Sequence, residues 1–353
     1  MQAKEQVKAG TNRYQQRFEA LVQEFLHSPA VNALNIGKVQ ETEFLHQFER
    51  HFSIQRVYAV KGEAGKQRIY VKLYKNAYKR SEADFLASIQ RDYDTNRFWY
   101  DKLAPFADFS TFKPLYLSLE HRGMITEEAE GENLGVLVRT QLKFRPSRET
   151  LLLLTEYMMR DGQLLRTIQQ FPVEPVQFEL ETLIEDIDSR MREFVSNPES
   201  NFTLEMRQAI LQFFREQLPA VRKQPLHIGY LHRDFMMGNL LVNGNKLIVH
   251  DFSRITVGPG LHDLTRFYHH LELLKYKPIY RDGHVRKLQE AFLQGYGYAP
   301  GPAHPLFRFF LLRHYITHYK GLVKAGNVPL KSKLYNRWVM RRHLENIREL
   351  IHA

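Results

Sequence analysis

The segment YLHRDFMMGNLLVNGNKLIVHDF, residues 230–252, gathers side chains able to act together. His232, Arg233 and Asp234 come first, Asn239 follows five positions after Asp234, and Asp251 closes the run beyond two apolar stretches joined by Asn243-Gly244-Asn245. Mg²⁺ takes hard oxygen ligands and binds through one or two carboxylates together with substrate phosphates. Asn239 and Asp251 suit it better than any site built on histidine. An Asp, an Asn and a second Asp around a tight hairpin can hold divalent cations and position a hydroxyl for in-line phosphoryl transfer.

Such groups work only if the surrounding elements hold them. The two apolar runs around Asn243-Gly244-Asn245 carry the strongest hairpin signal in the chain. RVYAV and RIYVKLY, separated by KGEAGKQ, predict an earlier hairpin from about residue 53. Ser81 with Asp84 three residues later predicts a capped helix reaching Leu103, and PLYLSLEHRGMITEEAEGENL predicts strand, turn and strand. Near the start, Tyr14, Phe18, Leu21, Val22, Phe25 and Leu26 recur at helical spacing up to Ser28-Pro29. Beyond about residue 145 the period is helical, apart from the 240–249 hairpin. The expected fold class is therefore α+β, with a small β-rich N-terminal lobe and a large helical lobe carrying one embedded hairpin.

Composition narrows the chemistry. The chain has 353 residues, a formal charge of +11 and no cysteine, which removes disulfides, thiolate metal sites and thiol nucleophiles. No segment approaches the roughly 18 apolar residues of a membrane span, and MQAKEQVKAGTNRYQQ has no apolar leader core, so a cytoplasmic protein is expected. Residues 264–353 hold sixteen Lys or Arg against five acids, which accounts for the whole surplus. No stacking or groove-reading motif accompanies that charge, so nucleic acid is not an expected partner.

The pattern H-x-D-x-x-x-x-N, hairpin, then Asp resembles the catalytic and metal-binding loops of the protein-kinase-like fold. GPGLHDL, residues 258–264, is similar to the G-P-x-x-D-L stretch of the aminoglycoside phosphotransferase and choline kinase family. Only twelve positions separate Asp251 from Asp263, too few for the activation segment of a protein kinase, so peptide substrates are disfavoured. The resemblance implies ATP as co-substrate with Mg²⁺, Asp234 orienting an acceptor hydroxyl and accepting its proton, and Lys72 on the nucleotide phosphates. It implies adenine contacts from the backbone near Ile125 to Glu127, and bracing roles for His232 and Asp263. The family's glutamate partner for the lysine is missing here; Asp92 is the best substitute, with Asp94 and Glu82 behind it. Arg233 stands where glycine is common and either contacts a phosphate or the acceptor or packs on the loop after Asp251. No glycine-rich loop precedes Lys72.

On this resemblance, residues 1–35 form a helical extension and 36–127 a nucleotide-binding lobe. Residues 128–353 then form a helical lobe with a catalytic loop at 230–264 and basic acceptor-side helices at 264–353. Polycationic aminoglycosides prefer an acidic pocket, so that basic region favours an anionic acceptor such as a sugar phosphate, an acidic glycan or a lipid-linked head group, and leaves peripheral membrane contact open. The alternative is a catalytically silent kinase-like protein that docks a partner or a membrane surface. Against it stands the intact set Lys72, Asp234, Asn239 and Asp251.

Overall fold

The computed structural model describes residues 2–197, 200–324 and 329–352. The chain divides into two compact units, Met1–Glu132 with Leu240–Ser253, and Asn133–Asn239 with Arg254–Ala353.

In the first unit, α1 (Gln2–His27) precedes strands β1 (Val39–Glu49), β2 (Ser53–Gly62) and β3 (Gly65–Tyr74). Helix α2 (Glu82–Leu103), strands β4 (Phe109–Ser110), β5 (Pro114–Ser118) and β6 (Gly123–Glu127) follow. β1, β2, β3, β6 and β5 form, in that order, a five-stranded antiparallel sheet. Strand alternation sorts the side chains of β3. Ile69, Val71 and Leu73 join Phe18, Leu21, Val22 and Phe25 of α1 in one apolar core, while Lys72 and Tyr74 take the opposite pleat. The N-terminal helix is thus core to the sheet it covers, more than an extension. Ser81 caps α2 as expected, its hydroxyl accepting from the Asp84 amide at 3.2 Å. β1 carries no strand signal because none of its residues is fully buried and two register shifts break its alternation.

The chain passes through β7 (Glu132–Asn133) into helices α3 (Leu134–Gln141), α4 (Arg148–Gln170), α5 (Leu180–Val195) and α6 (Leu204–Val221), then strand β8 (Ile228–Leu231). The hairpin β9 (Leu240–Asn243) and β10 (Lys246–Val249) belongs to the first unit. Gly244 in its turn sits at φ +54°, a conformation that costs glycine nothing. β11 (Thr256–Pro259), α7 (Leu261–Glu272), α8 (Asp282–Tyr296), α9 (Pro305–Lys324) and α10 (Leu330–His352) complete the second unit. α4 and α8 touch backbone to backbone: a Cβ on Gly295 would stand 1.8 Å from the Met159 carbonyl oxygen. The architecture is α+β, as expected.

Candidate active site

The loop His232-Arg233-Asp234 leaves β8, which pairs antiparallel with β11, Leu231 opposite Thr256 and Ile228 opposite Pro259. β11 runs directly into α7, so this short ribbon returns Asp263 to a loop thirty residues earlier. Asp263 is fully buried, and its Oδ1 accepts from the Arg233 amide at 3.1 Å. Burial pushes its carboxyl up, but the His262 hydrogen bond, the nearby His232 and the Arg233 amide outweigh this and hold it below the usual carboxylate range. That bond steadies Arg233 at φ +66°, an unfavourable conformation for a side chain of its size. His232, also fully buried, accepts from the Asp234 amide through Nδ1 at 3.3 Å.

Asp234 is half-buried. Arg266 of α7 donates to its Oδ1 in a short contact, and Asn239 Nδ2 donates to its Oδ2 at 3.2 Å and to its backbone oxygen at 2.9 Å. Those bonds engage the amide nitrogen of Asn239 and leave its Oδ1 as a hard donor. Asp251, exposed and at φ +68°, accepts from Ser253 Oγ through Oδ1 at 2.7 Å and keeps its second carboxylate oxygen. Both oxygens fit the needs of Mg²⁺.

In the first unit, Lys72 Nζ lies 2.9 Å from Asp92 Oδ2, so Asp92, and neither Asp94 nor Glu82, meets the lysine. Asp92 also accepts a short bond from the Tyr74 hydroxyl. Burial, then the charges of Asp92 and Asp251, hold the Tyr74 phenol well above its usual pKa, so it remains a donor. Trp99, on the same helix, stacks on Phe252 with ring centroids 5.0 Å apart and anchors the segment that carries Asp251.

Beside Asp234 a cavity of about 450 Å³ is lined by Arg233, Arg254, Arg266, Arg313, His262, Thr256 and Thr317. Arg313 of α9 is held by Asp186 at 3.0 Å and meets His262 Nε2 at 2.9 Å. Burial, partly opposed by Asp263, lowers the pKa of His262. Arg266 keeps a buried Nε without a hydrogen-bond partner. Four arginines thus line one polar hollow, and the planar fork of arginine matches carboxylate and phosphate oxygens.

Comparison with known families fits this loop. The profile of the phosphotransferase enzyme family matches residues 51–310. The chain belongs to that family. None of the curated protein sequences matches it. Among solved structures it is similar to aminoglycoside phosphotransferase APH(4)-Ia in complex with ADP and hygromycin B, at 13% identity and TM-score 0.53, covering 90% of this chain and 97% of that one. Amicoumacin kinase hAmiN, in complex with AMP-PNP, Ca²⁺ and Ami, aligns at 15% identity and TM-score 0.51 over 92% and 95% of the two chains. A choline/ethanolamine kinase family protein from Mesorhizobium loti aligns at 13% identity and TM-score 0.50 over 96% and 95%. These likenesses establish the kinase-like fold.

Three points of the phosphotransferase site go beyond the sequence reading. Ile125 lies inside the sheet between β3 and β5, and the amides of Glu127 and Glu128 donate to Lys113 and Arg68 carbonyls, each at 2.9 Å. Glu127 itself borders a cavity of about 550 Å³ with Lys66, Arg68 and Glu130. Second, the basic surplus of residues 264–353 is not gathered at the site. Lys275 pairs with Glu272, Lys320 and Lys324 with Glu193, and Arg341 and Arg342 with Glu345, whereas Arg233 and Arg254 of the pocket lie outside that stretch. Third, Arg266 went unnoticed although it stands one turn after Asp263 on the same helix. Arg313 and Arg254 left no local signal at all.

Proposed function

We propose that this phosphotransferase moves the γ-phosphoryl group of ATP, with Mg²⁺, onto a hydroxyl of a small molecule or glycan that carries an anionic group close to that hydroxyl. The arginine-lined pocket beside Asp234 carries the reading: an acceptor whose anion enters it sets its hydroxyl next to the carboxylate. The polycationic acceptors of aminoglycoside kinases would meet four like charges there, so the likeness to such enzymes does not extend to their substrates.

Asp234 orients the hydroxyl and takes its proton as the hydroxyl oxygen bonds to the γ-phosphorus and the bridging bond to ADP breaks. Asn239 orients Asp234 through its amide nitrogen, and its oxygen together with Asp251 would hold the cation. Bound there, Mg²⁺ would neutralise phosphate charge. Lys72, fixed by Asp92, reaches the α- and β-phosphates. His232 and Asp263 hold the loop rigid, so most of the rate comes from positioning. The test is a panel of neutral, cationic and anionic hydroxyl compounds with γ-labelled ATP. Label should pass to phosphorylated or carboxylated acceptors; preferential labelling of aminoglycosides overturns the reading.

A further inference from the structure

Deeper in the second unit, one ring nitrogen from each of His269, His318 and His343 lies within 4.8 Å of the other two, and these three form the one such group among the described residues. They come from three helices, α7, α9 and α10. His269 and His343 are buried and His318 is half-buried. His318 Nδ1 and His343 Nε2 stand 2.6 Å apart, sharing a proton that a cation could replace. His269 Nε2 is buried with no hydrogen-bond partner, which destabilises the fold unless something binds it. His343 is oriented from behind: its Nδ1 meets the Tyr276 hydroxyl at 3.0 Å, and that hydroxyl accepts from Asn346 Nδ2 at 3.0 Å. Outer hydrogen bonds of this type fix the tautomer and turn the other ring nitrogen towards a metal.

We propose that His269, His318 and His343 bind a borderline-soft divalent cation of the Zn²⁺ class, through His269 Nε2, His318 Nδ1 and His343 Nε2, with water in a fourth position. Imidazole suits Zn²⁺, Co²⁺ and Ni²⁺ and serves Mg²⁺ poorly, so this site is chemically distinct from the Asn239 and Asp251 oxygens. Zn–N bonds of about 2.0–2.1 Å ask the rings to adjust by roughly an ångström. Burial disfavours the imidazolium form of all three, which keeps their lone pairs available. The cation would clamp α10 to α7 and α9, and so support the helices bearing Arg266 and Arg313. This inference is independent of the acceptor reading.

Metal-stripped full-length protein should take up one equivalent of Co²⁺ with a visible d–d spectrum typical of low coordination, and Zn²⁺ should displace it. Zn²⁺ at about 100-fold its Kd should raise Tm by roughly 5 °C, since a ligand binding only the folded state stabilises by mass action. His318→Ala, at the half-buried position, should keep the native circular dichroism yet lose both the spectrum and the shift; His46→Ala, on β1, should lose neither. No stoichiometric uptake by the folded wild type, or uptake unchanged in His318→Ala, overturns the proposal.

Discussion

The arginine pocket and the histidine cluster are built on the same two helices and differ in charge. On α7, His262 and Arg266 serve the pocket while His269, one turn further, serves the cluster; on α9, Arg313 and Thr317 line the pocket while His314 and His318 turn to the buried side. The pocket gathers four arginines, with Asp186 and Asp234 as partial counter-ions. Among the described residues no carboxylate contacts the rings of the cluster, and burial leaves them neutral: His269 falls well below the usual imidazole pKa and His343 to about 2. Solvent access decides which basic side chain a helix can place at each level. A fixed cation needs water or an anion nearby, whereas imidazole survives drying by releasing its proton.

The largest effect expected belongs to the carboxylate beside the pocket. Asp234→Asn should lower turnover by about 10²–10⁴-fold, the usual contribution of a positioned base, while leaving the Mg·ATP thermal shift intact; unchanged turnover removes Asp234 from the mechanism. Next come the pocket's charges. Arg254→Ala and Arg313→Met should each raise KM for an anionic acceptor about 10- to 100-fold, as lost bonds to charged groups cost about 1.5–3 kcal/mol, with little change for a neutral acceptor. Equal effects on both acceptors would mean that the pocket is structural.

The smallest effect sharpens the other side. Unfolding exposes histidines with a pKa near 6.5, whereas in the folded protein they stay neutral, down to about pH 4 for His270 and about 2 for His343. Below pH 6.5 the unfolded state therefore binds more protons, and stability falls as pH drops from 6.5 towards 4, by up to about 1.4 kcal/mol per pH unit for each buried ring. Tm measured without metal should decline between pH 7 and 5, and His343→Gln should flatten the decline. A constant Tm across that range would show that the folded protein takes up as many protons as the unfolded chain, so that burial does not keep these rings neutral. His262 of the pocket, its pKa also lowered by burial, adds to the same slope.

Legibility in the sequence followed range. Hairpins β2–β3 and β9–β10, helix α2 with its Ser81 cap, and the spacing of Asp234, Asn239 and Asp251 were all readable, because each depends on neighbours within a few residues. Asp92 was readable as Lys72's partner because it shares a helix face with Ile89, Asn96 and Trp99, all buried in the structure. β1 was hidden by its half-exposed residues, and β8 and β11 by their length of four residues each. That the amides of Glu127 and Glu128 are already used was not readable, because it depends on the pairing of β6 with both neighbours.

From its sequence alone, then, this protein had a determined spacing of Asp234, Asn239 and Asp251 and an α+β order of elements, since backbone geometry over a turn or a hairpin is set by local side chains. Only tertiary structure decided where the charge acts. Arg233, Arg254, Arg266 and Arg313 span eighty positions, and His269, His318 and His343 span seventy-four. Their meeting depends on how α7 packs on α9 and α10, a consequence of burying the apolar faces of those helices together that no local pattern records.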